Sequence, residues 1–220
     1  FCQEALVWRQ LKHKNILSFL GVNTTLFFPS FCLISPWMDN GNIIRYLKLY
    51  PDHNINVVLS DISAGLHYLH SRSPPIIHGD LRGGNILVAN DLSCCLADFG
   101  LAVAAAVPEI SYITSTTSNS KTPVRWLAPE YFRKSNFTNT AREIYAFGCT
   151  IVEVITQELP FKECDSDTDV LLSALANERP QRPQSDWCTD KLWDLTTQCW
   201  AHKPEQRPSA VKIFHSLSLD

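Results

Sequence analysis

The chain has 220 residues, of which 45% are apolar and 19% charged, with a formal net charge of −3. That is apolar material for one good-sized core, and the near balance of charge offers no basic field for nucleic acid or an anionic membrane surface. No apolar run approaches the roughly 18 residues of a membrane span and no signal peptide is visible, so neither membrane insertion nor secretion is expected. The eight cysteines share no CxxC or Cys/His ligand spacing, which argues against zinc. Most sit in apolar runs such as SFCLI, CCLA and FGCTI and read as reduced thiols of a cytoplasmic protein.

At the amino end, FCQEALVWRQLKHKNI places Leu6, Val7 and Leu11 at helical spacing. The pattern starts without a cap and reads as a domain entered partway through a helix. ILSFLGV and SFCLIS, between residues 16 and 35, predict two short strands joined by a turn. A break from Leu47 to Asn54 precedes a long helix whose Val58, Ile62, Leu66 and Leu69 share one face. Pro74 and Pro75 are expected to end it. The stretch from Asn85 to Leu96 predicts a hairpin turning at Asn90-Asp91. From Leu101 to Lys121 the chain is rich in Ala, Ser and Thr without periodicity, a long loop of the kind that usually carries function. Further helices are expected near 142–157, 168–177, 190–200 and 208–218. The trend is a little strand first, then mostly helix, with no internal repeat.

Three short motifs follow one another in order: His78-Gly79-Asp80-Leu81-Arg82-Gly83-Gly84-Asn85, Asp98-Phe99-Gly100 and Ala128-Pro129-Glu130. Each alone is common; their order, with a hairpin and a loop between them, is not. The chain resembles the protein kinase superfamily, whose H-R-D-L-x-x-x-N, D-F-G and A-P-E elements occur in this sequence of spacing. The resemblance implies an α+β, protein kinase-like fold. It further implies ATP and magnesium as cofactors and a protein substrate whose Ser/Thr or Tyr hydroxyl receives the γ-phosphate. Phosphoryl transfer asks a protein chiefly to position groups and stabilise charge. On the matched positions, Asp80 orients the hydroxyl or takes its proton, Asn85 and Asp98 hold magnesium, and Arg82 reaches the transferred phosphate. Glu4, Ser35, Pro36, Met38 and Leu87 are the implied nucleotide-binding positions, with Ser35 to Gly41 as the hinge. Trp8 is expected to pack towards Phe99 and His78, and Glu130 to pair with Arg207 in a structural contact.

Several positions depart from the pattern. Gly79 replaces the Arg that usually clamps a phosphorylated activation loop, although Tyr112, Thr114, Ser115, Thr116, Thr117, Ser118 and Ser120 offer modification sites there. Glu143 stands where the family has Asp to brace the catalytic loop, so a shifted or weaker brace is expected. No GxGxxG occurs and no Lys precedes Lys12. The expected organisation is therefore a small-lobe remnant over residues 1–35 and a hinge and helical large lobe over 36–220. Together they form one kinase domain, truncated at its amino end and impaired as it stands. The alternative is a pseudokinase that scaffolds partners. Pro123 and Arg82 resemble tyrosine kinases, and HGDLRGGNILV and YAFGC resemble tyrosine-kinase-like enzymes expanded in mushroom-forming fungi; Ser/Thr against Tyr preference stays open. Uncovered small-lobe strands are expected to self-associate.

Overall fold

The computed structural model describes residues 2–104, 123–132 and 140–218. Helix α1 (Cys2–Trp8) buries only its last residue, Trp8, whose indole N–H donates to the Leu17 carbonyl at 2.6 Å. The chain then drops into the core with Leu11, Ile16 and Leu17. Strands β1 (Gly21–Phe27) and β2 (Ser30–Ile34) pair antiparallel, Gly21 opposite Ile34. The first strand therefore starts later than the run ILSFLGV suggests. Asn15 explains the difference: its side-chain amide donates to the Cys94 carbonyl at 2.9 Å, and its own carbonyl accepts from Leu96 N–H. That anchor draws Ile16 and Leu17 against the second hairpin of the molecule, and the free strand begins only at Gly21.

The expected break at Leu47 also needs correction. Helix α2 (Ile43–Leu49) is capped by Asn42 and buries Ile43, Tyr46 and Leu47, a helical spacing that carries the helix past Leu47. Asn54 then caps α3 (Ile55–His70), accepting from Asn56 and Val57 N–H. The predicted face of α3 is fully buried, with Val58, Leu66 and Leu69 at 0% exposure. The helix ends at His70 on a Ser71 cap, ahead of the prolines.

Strands β3 (Ile76–Ile77) and β6 (Val103–Ala104) pair with each other. Two-residue strands leave no periodicity to read, and neither was expected. Between them, β4 (Ile86–Val88) and β5 (Cys94–Leu96) form the expected hairpin, with Ile86 opposite Leu96. Its turn places Leu92 at φ 66°, while the Asp91 carboxylate accepts from Ser93 N–H at 3.0 Å and from its hydroxyl at 2.6 Å. Residues 105–122, with every candidate modification site of the long loop, lie outside the described residues.

Helix α4 (Thr140–Thr156) is buried on all sides from Glu143 to Val154, the mark of a helix at the centre of a body. Around it stand α5 (Asp167–Leu175), closed by a Ser166/Asp169 capping box, α6 (Asp190–Cys199), capped by Thr189, and α7 (Ala210–Ser218), packed on α3. The result is an α+β arrangement of short antiparallel pairs on a mainly helical core. Among the described residues no helix is long and apolar enough to cross a membrane.

Candidate active site

Segment 78–85 is shaped by contacts at both of its ends. His78 is fully buried; its Nε2 lies 2.9 Å from the Ala97 carbonyl and so carries the proton. That leaves Nδ1 to accept from Asp80 N–H at 3.3 Å. Gly79 adopts φ 83°, and a Cβ there would stand 2.8 Å from the Leu101 carbonyl oxygen. Any side chain there, Arg included, would strain the backbone and crowd the Leu101 carbonyl. Gly79 N–H donates to Glu143 Oε1 at 3.0 Å, while Glu143 Oε2 meets His70 Nε2 at 2.7 Å. Glu143 does reach the loop: one of its oxygens holds the loop, the other the end of α3. Burial alone would raise the Glu143 pKa, but the hydrogen bond and charge of His70 outweigh it and hold the carboxyl below its ordinary value.

At the other end of the segment, Gly83 N–H donates to Glu153 Oε2 at 2.7 Å. The same oxygen accepts from the Trp126 indole at 3.1 Å. Gly83 has no room for a side chain: a Cβ would lie 2.5 Å from Ile44 Cδ1 and 2.9 Å from Glu153 Oε1. Burial pushes the Glu153 carboxyl up to about 6, against the pull of its two donors. Sequence reasoning missed Glu153. Its signal was a carboxylate inside the apolar run CTIVEVIT, where a charge needs a partner.

Between these anchors, Arg82 Nε lies 3.2 Å from both Asp80 carboxylate oxygens. Asn85 Nδ2 donates to the Asp80 carbonyl at 2.9 Å and to Asp80 Oδ2 at 2.7 Å. The structure thus brings Asp80, Arg82 and Asn85 into direct contact. Asp98 follows Ala97, whose N–H donates to the Asn85 carbonyl at 2.9 Å. Its carboxylate is exposed and accepts from Gly100 N–H at 3.3 Å, in a backbone with φ 65°. The next residue, Phe99, is fully buried, its ring 5.9 Å from Trp8 and 5.0 Å from His78. Burying Phe99 is what turns Asp98 outward.

Glu4 lies beside this turn, its Oε2 3.7 Å from where a Gly100 Cβ would be. Burial raises its pKa and the Asp98 charge adds to the shift. Ser35, Pro36 and Met38 are half-buried and form a separate group, with Trp37 85% exposed between them. They reach β4 through Gly41, which donates to the Met38 carbonyl and accepts from Val88 N–H at 2.9 Å. Asn42 then bridges to Leu87. Farther off, Arg207 and Glu130 form a two-armed pair at 2.6 and 2.9 Å, with the guanidinium side chain at 0% exposure.

No cluster of three or more His, Cys, Asp or Glu that could hold a metal occurs among the described residues. Magnesium bound with phosphates needs only one or two protein carboxylates. The outward Asp98 carboxylate fits that requirement, and Asn85 Oδ1, left over when Nδ2 donates to Asp80, is a neutral oxygen that could add to it.

Known proteins are similar to this chain over nearly its whole length. The family model described as protein tyrosine and serine/threonine kinase matches residues 1–217. Tyrosine-protein kinase Abl of Drosophila melanogaster is 31% identical over 99% of this chain and 13% of its own length. Serine/threonine/tyrosine-protein kinase HT1 of Arabidopsis thaliana is 30% identical over 99% of this chain and 54% of its own. Tyrosine-protein kinase SPK-1 of Girardia tigrina is 29% identical over 100% of this chain and 45% of its own. The chain thus spans between about an eighth and about half of these relatives. With three motifs in register, an α+β fold of the kinase kind and a match over nearly its whole length, the chain belongs to the protein tyrosine and serine/threonine kinase family.

Proposed function

We propose that this chain is the part of a protein kinase that transfers the γ-phosphoryl group of ATP to a Ser/Thr or Tyr hydroxyl of a protein. The observation that carries the reading is the contact set Asp80–Arg82–Asn85, with Asp98 held beside it through the Ala97–Asn85 hydrogen bond. In this reading Asp80 accepts the hydroxyl proton or orients the hydroxyl towards phosphorus. Asn85 keeps the Asp80 carboxylate aimed by donating to it. Arg82 swings from Asp80 to the transferred phosphoryl oxygens. Asn85 Oδ1 and Asp98 hold magnesium, which when bound neutralises charge on the phosphates. Ser35, Pro36, Met38 and Leu87 supply the adenine side.

We also propose that transfer by the 220-residue chain alone is impaired. Among the described residues no cation pairs with Glu4, and Glu4 and Asp98 face one another as like charges. The same observation favours a second reading, a pseudokinase that binds partners without turnover. An ATP turnover assay with a generic protein acceptor separates the two. Slow transfer that Asp80→Asn lowers by about a hundredfold or more supports the kinase reading; Asp80-independent background with intact partner binding supports the scaffold. A reducing, cytoplasmic setting accords with the eight free cysteines, four of which burial holds protonated well above the ordinary thiol range.

A further inference from the structure

Two adjoining hollows of about 500 and 450 Å³ lie between α2 and the carboxyl end of α4 and share Ile44, Lys48, Glu153 and Leu159. The first reaches Arg82 and Gly84; the second continues past Arg125 to Lys162. Together they make one groove that starts at a side chain touching Asp80 and leads away from it.

The charges along this groove do not cancel. Arg45 and Lys48, one turn apart on α2, are exposed, and neither side chain has an ion-pair or hydrogen-bond partner among the described residues. Arg125 donates to the carbonyls of Pro160, Phe161 and Cys164, which leaves its charge without a carboxylate. Lys162 is neutralised by Glu158 at 2.7 Å, and Arg82 by Asp80. The remaining carboxylate, Glu153, is on the floor and already accepts from Gly83 and Trp126. Three cations therefore face one engaged anion. Apolar surface lies alongside: Leu49 and Leu159 are 66% and 54% exposed.

We infer that this groove receives the stretch of substrate flanking the acceptor residue and selects acidic side chains set beside apolar ones, with Arg45 and Lys48 as specificity residues. The inference rests on the kinase reading, but its test does not need turnover. The probes are two labelled peptides around a central Tyr and Ser, one rich in Glu and Leu, the other with Gln for each Glu. Fluorescence anisotropy with the 220-residue chain at low salt is expected to give the acidic peptide about three- to tenfold tighter binding, the scale of two exposed charge contacts. The preference should shrink as salt is added. It should vanish in Arg45→Glu/Lys48→Glu and persist in Asp80→Asn. Equal binding of the two peptides, no binding of the acidic one, or an undiminished preference in the double variant overturns the inference. Both substituted side chains are exposed, and an unchanged melting temperature of the double variant establishes that its fold is intact. The kinase reading fails separately, through absent Asp80-dependent transfer to a peptide that still binds with the acidic preference.

Discussion

Glu143 and Glu153 stand on one helix and grip segment 78–85 at its two ends, yet burial treats them oppositely. The contact with His70 holds the Glu143 carboxyl below its ordinary value despite burial; at Glu153 burial outweighs the pull of Gly83 and Trp126 and the pKa rises. Removing the hydrogen-bond partner of a buried carboxylate leaves that carboxylate short of a contact. His70→Ala is therefore expected to cost about 1–3 kcal/mol in urea unfolding at pH 7; a loss below about 0.5 kcal/mol would show that the contact contributes little. Its contribution is present above the unfolded carboxyl pKa and is lost as pH falls through the lower folded value.

For Glu153 the sign reverses. The folded state keeps the proton up to about 6 while the unfolded state releases it near the ordinary carboxyl value of 4.5, so this group destabilises the fold increasingly as pH rises between those values. From pH 7 to pH 5, wild type should gain about 1 kcal/mol relative to Glu153→Gln. Urea midpoints measured for both proteins at the two pH values check this, and a constant difference would contradict it. The residues of the three motifs were legible in sequence because order and spacing mark them. Glu153 was not, because what identifies its role is two donors brought from segments distant along the chain.

At the scale of elements, the helices were legible wherever apolar spacing continued over several turns, as in α3 and α4. The misreadings fall where a local run serves a distant contact: Ile16 and Leu17 belong with β5 through Asn15, and β3 finds β6 across the intervening hairpin. The turn at Gly79 is a further case. Read as sequence, Gly79 looks like a missing Arg; in the fold it is a left-handed backbone pressed against the Leu101 carbonyl. Gly79→Arg is accordingly expected to lower stability by about 1–3 kcal/mol instead of restoring control by phosphorylation. Thermal melting of Gly79→Ala and Gly79→Arg checks this, since both carry the Cβ. A melting temperature equal to wild type in either variant would show that the loop can relax at no cost.

Across the whole molecule, apolar contact is unevenly distributed. One continuous cluster runs from Trp8 to Ile213, whereas the β1–β2 hairpin ties into it through the half-buried Leu33. The tip of that hairpin turns outward, with Leu26, Phe27 and Phe28 at 69%, 62% and 82% exposure. A two-stranded hairpin is marginal on its own, and a contiguous exposed apolar patch of this kind usually marks a surface that another surface covers. For the 220-residue chain by itself, the available cover is a second copy. Sedimentation velocity at tens of micromolar is expected to show dimers or larger species. Leu26→Glu/Phe28→Glu should return the chain to monomer without lowering its melting temperature, because both side chains are already exposed. A wild-type chain that sediments as a single monomeric species would mean that the hairpin is stable uncovered, and that its aromatic tip serves some purpose other than association.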